Sequence, residues 1–192
     1  MNTADTKTRI LDAAQELIQC RGINGMSYQD LAAAVGIRKA SIHHHFPAKL
    51  DMLNALLDRY IREFETKVTD VLGAKVTGRT KLKRYFELFQ TTLNEGQRDK
   101  ACLCGMLIAE MASLNEQGLQ KVRKFLQSNA NHIHEILKNG IADGSFTDQK
   151  NTRATADMVL ASLEGGLLIA RCEGGPKRLE TILNQMMQLL SN

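Results

Sequence analysis

Tryptophan is absent from this chain of 192 residues, which has only two prolines, Pro47 and Pro176, and six valines. Aromatic residues make up 5%. Strands draw on Val, Tyr, Phe and Trp, so the shortage argues against an all-β or parallel-sheet fold. No window reaches the roughly 18 uncharged apolar residues of a membrane-spanning helix. Residues 1–9 are polar and include an acid, with no apolar core of a secretory signal. The four cysteines, Cys20, Cys102, Cys104 and Cys172, lack framework spacing. Free thiols of this kind fit a reducing compartment, so a cytoplasmic location is expected. The chain also lacks repeats and low-complexity tracts, and 43% hydrophobic residues exclude intrinsic disorder.

What is plentiful is leucine, at 25, and alanine, at 19. Both are strong helix formers. Apolar residues recur at steps of three and four, and the spacing predicts an all-α fold of about nine helices. They cover residues 7–21, 27–35, 39–45, 51–72, 82–93, 101–114, 118–142, 151–172 and 177–190. Gly22 and Gly36 supply stops, and Pro47 ends the third helix. Ser27 with Asp30 three residues on has the layout of a capping box. Length and pattern divide the chain into a three-helix head, 1–50, and a helical body, 51–192.

Net charge is +4, a weak signal by itself. Its distribution is more telling. Residues 31–50 contain no acid but carry Arg38, Lys39, Lys49 and three histidines. Beyond residue 49 the chain holds nineteen basic against seventeen acidic residues. A helix, a turn with glycine and a short polar helix over about 27–46 form a helix-turn-helix pattern. The second helix of that motif enters the major groove with its N-terminal residues against base edges. Those residues are Arg38, Lys39 and Ser41, and Arg and Lys commonly read guanine. His43, His44 and the next helix start near Lys49 suit phosphate oxygens. Double-stranded DNA is the expected partner.

The segments Thr8-Arg9-Ile10-Leu11-Asp12-Ala13-Ala14, Ser27-Tyr28-Gln29-Asp30-Leu31-Ala32 and Val35 through Leu53 resemble the opening of the TetR family of bacterial transcriptional regulators. The likeness is specific over about residues 7–60 and one of architecture beyond. It implies that Tyr28, Gln29, Arg38, Lys39, Ser41, His43, His44 and Lys49 face DNA, and that Ile37, Ile42 and Phe46 are core. Two positions depart from the family: Met26 stands where Thr is usual, and His43 where a phosphate-binding Tyr is usual. Imidazole can also donate to phosphate, in which case binding strengthens as pH falls through the histidine range. The resemblance further implies an effector-inducible repressor that binds a palindromic operator as a homodimer. The apolar faces of 151–172 and 177–190 suit the dimer seam.

Within the body, 101–114 is apolar all round except for Glu110, so a buried helix with a buried carboxylate is expected. Candidate pocket residues for an unknown small-molecule effector are Phe64, Phe86, Phe89, Cys102, Met106, Glu110, Phe125, His132 and Arg171, with Tyr60 and Met111 beside them. Ala101-Cys102-Leu103 with Ala109-Glu110 is similar to a branch of the family whose cysteine responds to electrophiles or oxidants. Cys102 is expected in the first turn of its helix, after Arg98 and Lys100, a setting that favours thiolate. A thiol or small-molecule sensor without transcriptional output is the alternative of another class.

Metal and catalytic chemistry find no support. Consecutive helical residues point about 100° apart, so His43-His44-His45 cannot chelate one ion. No phosphate-binding glycine loop, nucleophile elbow or acid–base pair with a definable reaction occurs. Neither an enzyme nor a cofactor is expected.

Overall fold

The computed structural model describes residues 3–94, 100–148 and 150–191. Arg98, expected beside Cys102, lies outside the described residues. Among the described residues there are nine α-helices and no strand: α1 (Thr3–Arg21), α2 (Tyr28–Val35), α3 (Lys39–His45), α4 (Lys49–Gly73), α5 (Gly78–Asn94), α6 (Leu103–Ala109), α7 (Glu116–Ala142), α8 (Thr152–Cys172) and α9 (Gly175–Ser191). A single 3-10 turn, Met111–Ser113, follows α6. None of these helices is long and apolar enough to cross a membrane.

The chain divides into two compact units. The first comprises Met1–Arg62 and Leu103–Lys124. In it α1 packs on α2, α2 on α3, and α1 on α6. Its core is Ile10, Ala14, Ile18, Leu31, Ile42, Met52, Leu56 and Leu57, all fully buried. Each such large side chain removed from water stabilises by about 1.5–3 kcal/mol. Arg59 pairs with Asp12 at 2.7 Å, and Lys121 with Asp58 at 2.7 Å, which ties α4 to α1 and α7 at their polar margins.

The second unit comprises Glu63–Cys102 and Phe125–Asn192. Here α8 and α9 pack along one another and α5 packs on both. Its core combines Tyr85, Phe89, Phe125, Ile133, Ile136, Leu163, Leu167 and Leu179. Asn151 caps α8, its side chain accepting the Ala154 N–H at 3.1 Å. Pro176 sits one residue inside α9, where a missing N–H costs nothing.

The expected helix 101–114 is corrected. It runs only over Leu103–Ala109 and is not buried all round, because Ile108 and Met111 are exposed. Cys102 accordingly precedes the helix and does not sit in its first turn.

Candidate nucleic-acid interface

The capping box at Ser27 forms as the spacing predicts. Ser27 Oγ accepts the Asp30 N–H at 3.2 Å, and Asp30 Oδ2 accepts the Ser27 N–H at 2.8 Å. These hydrogen bonds to Ser27 hold the Asp30 carboxyl below the usual range. Helix α2 stops at Gly36, whose φ of 72° is the left-handed conformation that glycine adopts without strain. Arg38 then caps α3 in an extended conformation.

The short helix α3 presents its polar side to solvent. Arg38, Lys39, His43 and His44 are exposed, Ser41 is half-buried, and Gln29 of α2 is exposed. Ile42 and Phe46 are buried and fix the other side of α3 to the core, as expected. Lys39 and His43 stand one helical turn apart, so they share a face. The His43 Nδ1 lies 3.4 Å from the Pro47 carbonyl, and its ring meets Tyr28 edge-on at 4.8 Å. No acid occurs between residues 31 and 50, so α3 itself carries nothing that opposes an anionic partner.

Two expected contact residues are bonded within the head. Tyr28 is only 7% exposed, and its hydroxyl donates to the Phe46 carbonyl at 2.9 Å. Burial, with a smaller contribution from Asp51, pushes its phenol up to about 12. Tyr28 therefore staples α2 to the end of α3. Lys49 donates its ammonium to the carbonyls of Ile23 and Met26, both at 2.5 Å. Burial pulls its pKa down, with Glu110 and Asp30 opposing. With two of its three N–H groups given to backbone oxygens, Lys49 braces the turn after α1.

The same turn is held from a second direction. Glu110 follows α6 and accepts the backbone N–H groups of Ile23 at 2.5 Å and Asn24 at 3.3 Å. Ser113 Oγ donates to Asn24 Oδ1 at 3.0 Å. Gly22, at φ +77°, makes room: a Cβ there would stand 2.3 Å from a Glu110 oxygen. Glu110 is thus not a core carboxylate waiting for a ligand; its charge is taken by amides at the end of α1.

Residues expected around an effector separate into two groups. In the second unit Phe64 meets Phe89 at 5.3 Å and Phe125 at 5.2 Å, with Tyr85 at 6.3 Å. His132 Nε2 lies 3.3 Å from Glu65, which also accepts the Ser128 hydroxyl at 2.7 Å. Tyr85 donates to Asn129, whose amide donates to the Phe125 carbonyl at 2.7 Å. Cys102 is fully buried and hydrogen-bonds the Glu164 carboxylate. Phe86 lies apart, on a surface groove of roughly 530 Å³ between α5 and α9 with Arg79 and Lys83. Arg171 is half-buried near the end of α8. Met106 and Glu110 belong to the first unit.

Glu164 and Glu65 went unmarked in the sequence, although a signal exists for one. Glu164 is the sole charged residue between Asp157 and Arg171, in the apolar run of α8.

Comparison with known proteins agrees over both units. Residues 10–56 match the model of bacterial regulatory proteins of the tetR family, and residues 78–186 match the tetracyclin repressor-like C-terminal domain. The HTH-type transcriptional repressor NemR of Escherichia coli is 24% identical, with 97% of this chain and 94% of that protein covered. A TetR-family transcriptional regulator from Agrobacterium tumefaciens superposes with a TM-score of 0.92 and 29% identity over the full length of both chains. A TetR regulator from Legionella pneumophila superposes with a TM-score of 0.85 and 30% identity, covering 99% and 100% of the two chains.

Proposed function

Since this chain belongs to the TetR family of bacterial regulatory proteins and is a DNA-binding transcriptional regulator, we propose that it is a cytoplasmic, effector-inducible repressor that binds a palindromic operator as a homodimer. Residues 1–50 read the DNA, and residues 51–192 dimerise and respond to a small molecule. The observation that carries this reading is the acid-free exposed surface of Arg38, Lys39, His43 and His44 on one short helix after a left-handed glycine turn. Arg38 and Lys39 stand at the end of α3 that meets base edges, and the histidines suit phosphates. Ser41 and Gln29 complete the surface.

One recognition helix covers a half-site with limited affinity, and two heads held together bind far more tightly. The apolar surface of α8 and α9 supports pairing of two chains. Met158, Ile169 and Leu189 are 50%, 50% and 61% exposed, more than a lone helix pair needs to leave open to water. Gly165 presents bare backbone among them and permits close helix approach.

The turn after α1 is held from two directions. Glu110 and Lys49 grip it from the ends of α6 and α4. Reciprocity requires operator DNA to weaken effector binding by the factor by which the effector weakens operator binding.

Selection of duplexes from a random pool tests the reading. A regulator of this kind enriches one two-fold symmetric site whose binding weakens steeply with salt. Absence of any enriched sequence overturns it.

A further inference from the structure

Buried polar atoms in a helical core are nearly always hydrogen-bonded. Glu164 breaks that rule. One carboxylate oxygen, Oε1, is sealed from solvent and has no hydrogen-bond partner among the described residues. The carboxylate takes the Cys102 thiol, and no described Lys or Arg pairs with it. His132 Nδ1 is a second sealed atom without a partner in the same unit. Tyr85 is near both, its ring 6.5 Å from His132 and its hydroxyl within the field of Glu65, Cys102 and Glu164. The rings of Phe64 and Phe89 meet Tyr85 at 6.3 and 5.8 Å.

We propose that Glu164 is the anchor for an effector that carries a protonated amine on an aromatic or apolar body. The proposal rests on the reading above that residues 51–192 bind a small molecule, and it names the chemistry of that molecule. Three considerations select a cation. A buried carboxylate is relieved most by an opposite charge that also donates hydrogen bonds. Aromatic ring faces attract cations. Glu65 adds negative potential nearby, and its own bonds to Ser128 and His132 leave it occupied. A neutral alcohol satisfies one lone pair but leaves the charge, and a carboxylate ligand adds repulsion.

Burial raises the Glu164 carboxyl to about 7, against the pull of the Cys102 hydrogen bond. A cation that binds there expels a proton from the fraction of molecules still protonated. Binding of the amine near pH 6.5 therefore releases protons into the buffer, and binding of an alcohol does not.

The test uses the whole 192-residue chain and three probes of similar shape: 2-phenylethylammonium, 2-phenylethanol and 3-phenylpropanoate. Titration calorimetry in two buffers of different ionisation enthalpy gives both affinity and proton release. The ammonium probe is expected to bind about tenfold more tightly than the alcohol, with the carboxylate weakest. Glu164→Gln, which keeps size and a hydrogen-bonding oxygen, should bring ammonium and alcohol within about twofold. The proton-release measurement stands on the wild type alone, so the test survives a variant that does not fold. Equal affinities for ammonium and alcohol, no ammonium binding at millimolar concentration, no proton release, or a preference that persists in a folded Glu164→Gln overturns the proposal. Operator release is read separately by fluorescence anisotropy. Ammonium binding that leaves the operator bound upholds the Glu164 anchor and counts against the effector reading of the body.

Discussion

The carboxylate of Glu110 accepts the backbone N–H of Ile23 at 2.5 Å across 87 positions of sequence. The contact joins the end of α6 to the turn that precedes the helix-turn-helix. It depends on Gly22, since any side chain there occupies the space of the carboxylate. Charge-assisted bonds from backbone amides are among the stronger hydrogen bonds in proteins.

Removing that carboxylate should loosen the turn without unfolding the head. Glu110→Ala is expected to lower stability by about 1–3 kcal/mol, because two amides lose their acceptor. Hydrogen exchange should quicken first at Ile23 and Asn24, and operator affinity should fall with it. Unchanged protection at both amides contradicts the latch. Gly22→Ala should do more damage, since it adds left-handed strain to the 2.3 Å overlap.

The apolar surface of α8 and α9 predicts dimerisation. Ile169→Arg places a charge in a face that is half exposed in one chain. Sedimentation should show a monomer with helical content retained, and operator affinity should drop by at least about a hundredfold through lost avidity. A variant that sediments as the wild type argues for a different seam.

The buried carboxyl of Glu164 makes stability depend on pH. Its folded value is about 7 against 4.5 unfolded. Between the two, the unfolded chain gives up a proton that the folded chain keeps. The stability contribution is therefore full below about 4.5 and lost as pH rises to about 7. The gap corresponds to about 3 kcal/mol. Urea unfolding between pH 4.5 and 8 should show this decline in the wild type and a flatter profile in Glu164→Gln. Parallel profiles contradict the assignment.

Cys102 gives a fourth test. It has no exposed surface, and its thiol is engaged with Glu164. Maleimide should label Cys172, which is exposed, well before Cys102 in the folded protein. Fast labelling of Cys102 with loss of operator binding revives the thiol-sensor reading of this helix start.

Helix positions were legible because their signals are local. The capping box at Ser27, the left-handed stop at Gly36 and the i, i+3, i+4 stripe of α4 each need only nearby residues. The exposed set of Arg38, Lys39, His43 and His44 followed from the same local pattern, and Gln29 from the family resemblance. What the sequence did not show are bonds whose partners lie far off in the chain. Tyr28 and Lys49 satisfy carbonyls 18 and 23–26 positions away, and Glu110 reaches amides 86 and 87 away. A charged residue in an apolar run was read as buried at Glu110, yet that description fits Glu164. The difference is invisible without knowing that the chain after α6 turns toward the backbone amides at the end of α1.

The most direct measurement compares wild type, Lys39→Ala and His44→Ala on the selected operator and on a scrambled duplex at matched salt. Wild type should prefer the operator strongly. Each variant should remain a folded dimer. Lys39→Ala should lose most of that preference, about 1–3 kcal/mol for each base contact in a half-site. His44→Ala should weaken binding to both duplexes in similar proportion. If both variants bind and discriminate as the wild type does, α3 is not the reading helix and the account fails.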